Sequence, residues 1–383
     1  MTLALPLSRL NKIRLAGLLL AAAFASAAPA PPTDMLRLGS NENPYGYTPK
    51  AEVAMVEAIK SAQYYNRTEI QALIDVLAVK EGVPRDYLYV TAGSGTVLEL
   101  IGMAYYAPGG NVVNISPGYP QIGWAFKRMG GEIKFAPLGE NMGYDFAALA
   151  KTIDANTKIV VICNPNNPTG ALADPKALRN FIMGVPENVL VVVDEAYLEL
   201  ADTPLTVNSA APLTKLRKNL AVTRTFSKAY GMAGVRIGYA IANPEILAKL
   251  KRIDPGSSPS FIAAAAAKAA VQDQDFMEGN RRKYSAVRNY TMRELDKLGL
   301  KYNVPQGAFI LFEIGMDSGE AQSQFRDNGI LISRPTLFDL APGDDVKYKN
   351  WVRVSLGTQE DMEKFFQTLR MVTERQFMGA KKS

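Results

Sequence analysis

The sequence predicts an α/β protein built on a mostly parallel sheet between helices, followed by a smaller α+β C-terminal domain. Three observations carry this. Short Val/Ile-rich runs alternate with amphipathic helical stretches through the first two thirds of the chain. Between residues 245 and 275 the pattern gives way to long helices and isolated strands. At 383 residues, 48% apolar and 21% charged, the chain has an ordinary globular composition and enough length for two cores.

In chain order, strands are expected over 86–90, 111–115, 132–136, 158–163, 189–193, 219–224 and 235–242. Helical periodicity lies between them at 50–63, 69–81, 94–106 and 174–183. The last third offers helices over 259–272 and 276–298, strands over 309–314, 329–333 and 351–356, and a final helix over 359–376. The resulting division is an N-terminal arm over 28–50, a large domain over 51–260 and a small domain over 261–383.

The first 27 residues stand apart. Arg9, Lys12 and Arg14 precede a 14-residue apolar run, Leu15 to Ala28, which is short for a bilayer span, and Ala25-Ser26-Ala27 offers small residues for cleavage. A secretory signal peptide over 1–27 is expected. Cleavage would leave a periplasmic or secreted protein without a stable membrane span, and without cleavage the protein would be cytoplasmic. Ser8 to Lys12 is similar to a twin-arginine signal lacking its second arginine.

Composition excludes several chemistries. The chain contains no histidine, so a Ser-His-Asp triad, a His-paired cysteine and His-ligated zinc are ruled out, and proton transfer falls to Lys, Tyr, Asp or Glu. Cys163 is the single cysteine, so no internal disulfide forms. Half of the net charge of +6 sits in the first 27 residues, and the remaining +3 is no nucleic-acid footprint.

Four segments carry chemistry. Ala92-Gly93-Ser94-Gly95-Thr96 joins a strand to a helix, where unpaired N–H groups and the helix dipole favour an anion. It lacks G-x-G-x-x-G and no acid ends the next strand, which argues against a dinucleotide site. Asn164-Pro-Asn-Asn-Pro-Thr-Gly170 is a turn-rich loop. Asp194 ends an apolar strand, at the edge where open α/β sheets bind ligands. Lys228 follows Ser227 after another strand, with Arg236 eight residues on. Singly, Asp194 also reads as a helix cap and Lys228 as a surface lysine.

Their order changes the reading. Asn167-Pro-Thr-Gly, Asp194-x-x-Tyr197 and Ser227-Lys228 followed by Arg236 resemble the class I/II aminotransferases of the pyridoxal phosphate (PLP) fold type I superfamily. Asn41-Glu-Asn-Pro-Tyr-Gly46, Tyr65 and Val352-Arg353-Val-Ser-Leu-Gly-Thr358 are similar to the histidinol-phosphate aminotransferase branch. The resemblance spans about residues 36–375. It implies that Lys228 binds PLP covalently and later moves the substrate proton, and that Asp194 keeps the pyridine nitrogen protonated. Asn167 and Tyr197 would bond the phenolic oxygen, and Tyr119 would stack on the ring or remain a core tyrosine. Gly93, Ser94, Ser227 and Arg236 would hold the phosphate, with Tyr65 reaching across a homodimer. Arg353, Tyr45, Asn43 and Arg334 would meet substrate.

The branch pattern is broken at one point. Relatives tend to carry Val-Arg after Gly-Ile-Leu, whereas this chain reads Gly329-Ile-Leu-Ile-Ser333-Arg334, and a one-residue shift on a strand turns a side chain to the other face. The implied activity is ping-pong transamination between an amino donor, histidinol phosphate or a related amino acid, and 2-oxoglutarate. An aromatic or basic amino-acid aminotransferase, a PLP-dependent decarboxylase and a secreted, non-catalytic PLP-binding protein are the alternatives.

Overall fold

A seven-stranded sheet forms the centre of the computed structural model, which describes residues 35–338 and 340–380. Its strands are β1 (Leu88–Thr91), β2 (Asn111–Ser116), β3 (Glu132–Pro137), β4 (Thr157–Cys163), β5 (Leu190–Asp194), β6 (Leu220–Thr225) and β7 (Gly238–Ala242). The spatial order is β1-β7-β6-β5-β4-β2-β3. Only β7 runs against its neighbours; the β2–β3, β2–β4, β4–β5 and β5–β6 pairs are parallel. Every residue of β5 is buried, as its unbroken apolar run requires of a strand covered on both faces.

The expected strand over 235–242 begins at Gly238 instead. Arg236, at φ 61°, leaves the extended region and interrupts it. Likewise Arg85–Tyr87 forms a 3-10 turn ahead of β1, and the strand expected over 329–333 contracts to Ile330–Leu331.

The main helices are α1 (Pro49–Ile59), α2 (Thr68–Glu81), α3 (Ser94–Ala104), α4 (Gln121–Arg128), α5 (Phe146–Thr152), α6 (Pro175–Gly184), α7 (Pro244–Ile253), α8 (Phe261–Val271), α9 (Gln274–Lys297), α10 (Ser318–Asp327) and α11 (Gln359–Ala380). Start signals are local: Asp174 accepts from Ala177 N–H at 2.7 Å with Pro175 next in the helix, and Ser260 caps α8 through Ala263 N–H. Against one face of the sheet, Val97 and Ile101 of α3, Phe126 of α4 and Leu247 of α7 pack on Val112, Ile159 and Val192. Burial of each such side chain contributes about 1.5 to 3 kcal/mol.

The described residues from Arg37 onward form one compact unit. In it α8 packs on α1 and α2, so the helix that the sequence puts first in the smaller domain lies against helices of the larger. Strands β8 (Phe309–Glu313) and β9 (Trp351–Ser355) pair antiparallel beside α9 and α11. The chain after Leu36 joins this pair, since Ser355 N–H donates to Leu38 O at 2.8 Å. The proposed signal segment, 1–27, lies outside the described residues. Among the described residues no helix is long and apolar enough to cross a membrane.

Candidate active site

The C-terminal ends of β5 and β6 deliver Asp194, Tyr197, Ser227 and Lys228 to one cavity of about 670 Å³. Its lining includes Ser94, Tyr119, Asn167, Asp194, Tyr197, Ser227, Lys228, Arg236 and Arg353. The position is the one expected of a ligand site in an open, mostly parallel sheet.

Asp194 closes β5 and is 3% exposed. Asp194 stands opposite Thr223 of β6 in register, and the Thr223 hydroxyl donates to its Oδ1 at 2.8 Å. The Cys163 thiol lies 4.0 Å from Oδ2. Burial pushes the carboxyl up to about 6, opposed by the bonds from Thr223 and Ala196 N–H and by the positive charge of Lys228. A cationic partner in the cavity would therefore be strongly favoured.

Lys228 follows β6 in a loop pinned by the N-terminal arm. Its Nζ donates to Ser40 O at 3.0 Å. Ala229 O accepts from Asn43 Nδ2 at 3.0 Å and Asn280 Nδ2 at 3.2 Å. Gly231 sits at φ 70° so close to the arm that a Cβ there would come within 2.9 Å of Tyr47 N, so glycine is required. Burial lowers the Lys228 ammonium to about 8, with the charges of Arg353 and Arg236 adding to the effect, and Glu42 and Asp194 opposing it. The neutral, nucleophilic amine is thus reached near pH 8 rather than in the usual lysine range.

The anion site is formed by β1, α3 and the β6–β7 connection. Gly93, at φ 91°, precedes α3 without any side-chain cap, which leaves first-turn N–H groups for a ligand. A Cβ at Gly93 would sit 3.0 Å from the Arg236 guanidinium carbon, so glycine admits the arginine. Arg236 Nη1 donates to Ser227 Oγ at 3.3 Å. The cavity wall also holds Arg353 of β9, 5% exposed, which donates through Nη1 to Asn167 Oδ1 at 2.8 Å and through Nη2 to Gly39 O. Its guanidinium carbon lies 5.5 and 5.2 Å from the ring centres of Phe309 and Phe338. Among the described residues no carboxylate pairs with it.

This donor set fits PLP on chemical grounds. An amine, a buried carboxylate with no ion pair among the described residues, an uncapped helix N-terminus beside an arginine, and a phenol share one cavity. Behind the sheet, Arg224 pairs with Glu195 at 2.8 Å and lies 3.5 Å from Glu81 and 3.6 Å from Glu199, all nearly fully buried. Strand alternation puts Thr223 and Thr225 towards the cavity and Arg224 away from it, so this cluster ties the sheet together from the other side.

Not every sequence-derived candidate lies on the cavity wall. Asn43 supports the Lys228 loop, and Tyr45 meets Tyr284 edge-on, 5.6 Å between ring centres. Tyr65 is fully exposed in the α1–α2 connection. Ser333, in backbone register with Arg353 through bonds of 2.9 and 3.0 Å, occupies the position where the branch pattern has its arginine. Arg334 follows it and its Nη1 approaches Gly319 at the start of α10, beside Asp317. Two residues were not singled out: Thr223, which strand alternation could have placed with Asp194, and Asn41, inside a motif already noticed.

The chain belongs to the class I and II aminotransferases, whose family profile matches residues 33–369. It is a PLP-dependent aminotransferase of the histidinol-phosphate aminotransferase-like branch. A histidinol-phosphate aminotransferase of Moorella thermoacetica is 35% identical over 339 residues, 88% of this chain and 86% of the relative. Histidinol-phosphate aminotransferase 2 of Pseudomonas fluorescens is 34% identical, with 90% of each chain covered. The crystal structure of the Sinorhizobium meliloti histidinol-phosphate aminotransferase in complex with PLP superimposes with a TM-score of 0.79 at 26% identity, covering 88% of this chain and 91% of that one.

Proposed function

We propose that the enzyme moves an amino group from a small donor, histidinol phosphate or a related amino acid, to 2-oxoglutarate in two half-reactions at this cavity. The observation that carries the reading is Arg353, a buried guanidinium without a carboxylate partner among the described residues, in the wall of the same cavity as Lys228. Each half-reaction needs an anionic group of the substrate held at a fixed distance from the amine being exchanged, and a planar guanidinium does this by paired bonds.

PLP, when bound, supplies the electron sink for the substrate carbanion. The residues do the rest. Lys228 would attach the cofactor and carry the proton at the substrate Cα. Asp194 would balance the ring's positive charge; Gly93, Ser94, Ser227 and Arg236 would hold the phosphate; Tyr119 would lie against the ring, and Asn167 and Tyr197 would serve its phenolic oxygen. The place of Arg334 beside Asp317 favours a substrate anion held at Arg353 over one held at Arg334.

A substrate panel on the PLP-loaded protein tests this reading, with the absorbance change on amino transfer as the signal. Glutamate and one amine of the panel should each convert the cofactor, and 2-oxoglutarate should restore it. Failure of glutamate and 2-oxoglutarate would remove the proposed second half-reaction.

We infer a homodimer in which Tyr65 of each subunit serves the other's site. Val53, Val56 and Ile59 form an exposed apolar stripe on α1, continued by Tyr64 and Tyr65, an unusual run for surface exposed to water. Sedimentation should give about twice the 41.7 kDa chain mass, less any cleaved signal. A fully active monomer would exclude the shared site.

A further inference from the structure

Asn41 lines the cavity and is 1% exposed. Its backbone lies at φ 55°, in the left-handed region, where a non-glycine residue persists only when its surroundings over-determine it. They do so through three bonds. The Asn41 N–H donates to Ser355 Oγ at 2.8 Å, Ser355 Oγ donates to Asn41 Oδ1 at 2.9 Å, and Asn41 Nδ2 donates to the Tyr197 phenol oxygen at 3.0 Å.

Ser355 Oγ accepts the Asn41 N–H and gives its own proton to Asn41 Oδ1, and with Oδ1 so engaged the Asn41 amino group faces Tyr197. On the other side Arg353 can only donate. Asn167 Oδ1 receives it at 2.8 Å, which turns the Asn167 amino group to Tyr197 at 3.3 Å. A phenol oxygen has two lone pairs and one proton. With both lone pairs occupied by amide donors, Tyr197 can only give its proton away, and the open direction is the cavity.

We propose that Asn41 is a positioning residue that, with Asn167, makes Tyr197 an obligate hydrogen-bond donor towards the bound cofactor. The proposal rests on the reading that Tyr197 faces the phenolic oxygen of PLP. A donor there lowers the basicity of that oxygen, and losing the donor raises the pH at which the bound chromophore changes colour. Asn41→Asp keeps the shape and the Ser355 bond but offers Tyr197 an acceptor, drawing the phenol proton out of the cavity. Asn41→Gly accepts φ 55° without strain and frees one lone pair, so the phenol proton keeps its direction.

The experiment is a pH titration of the absorbance of the PLP-loaded protein, with PLP dissociation measured alongside, for wild type, Asn41→Gly, Asn41→Asp, Tyr197→Phe and the Asn41→Asp/Tyr197→Phe pair. The midpoint should rise by about one pH unit in Tyr197→Phe and in Asn41→Asp, and by much less in Asn41→Gly. The Asn41→Asp shift should be at least halved in the Tyr197→Phe background, because little remains for Asn41 to orient. An equal shift in both backgrounds would reduce the aspartate's effect to its charge and overturn the proposal, as would an unchanged midpoint in Asn41→Asp. An unchanged midpoint in Tyr197→Phe would overturn the underlying contact of Tyr197 with the cofactor, a distinguishable failure.

Discussion

Asp194→Asn is expected to keep PLP bound while transamination falls by roughly three orders of magnitude. The phosphate site and Lys228 are untouched by the change, and the amide oxygen can still accept the Thr223 bond. What disappears is the charge opposed to the ring nitrogen. At about 4 Å and an effective dielectric constant of about 20, such a pair is worth about 4 kcal/mol, or about a thousandfold in rate if it is spent on the transition state. The fold should not suffer. A carboxyl that burial raises to about 6 destabilises the folded state once the unfolded carboxyl ionises, and the effect is complete above about pH 6. At pH 7 the cofactor-free variant should therefore melt no lower than wild type. Near-normal turnover in Asp194→Asn would refute the role.

Arg353→Ala is expected to lower kcat/KM for an amino-acid donor by two or more orders of magnitude. Charge-assisted bonds contribute about 1.5 to 3 kcal/mol each, and two are lost together. Because Arg353 also holds Asn167 at 2.8 Å, part of the loss should appear in kcat as well as in KM. Arg334→Ala is the comparison: with its guanidinium beside Asp317 and Gly319, the change should leave amino-acid donors and a phosphorylated amine equally unaffected. A selective loss of the phosphorylated amine would return Arg334 to the substrate site.

The alternation of short apolar strands with amphipathic helices was enough to read the sheet, because each strand of a parallel sheet is buried on both faces and shows it locally. Strand order and the reversed β7 were not legible. They depend on pairings between residues such as Thr91 and Gly238, far apart in sequence. Asp194 and Lys228 end or follow a strand at the ligand edge, but with Arg236 they could be identified only through their order, which resembles the class I/II aminotransferases, since singly they also read as a cap and a surface lysine. The shift at Ser333 and Arg334 was visible as a spacing fault, but its outcome needed the backbone pairing of Ser333 with Arg353. Asn41 and Thr223 escaped notice for a related reason. Their chemistry lies in what they touch, Tyr197 and Asp194, at separations of 156 and 29 residues.

Attachment of PLP to Lys228 is the central claim, and borohydride reduction of the loaded protein followed by peptide mapping tests it most directly. Only the neutral amine attacks the aldehyde, so loading of the cofactor-free protein should quicken as pH rises and level off above about 8, where burial has set the Lys228 ammonium. The reduced protein should carry one pyridoxyl group, on the peptide containing Lys228, and Lys228→Ala should carry none. A pyridoxyl group on another lysine, or undiminished labelling of Lys228→Ala, would contradict the account.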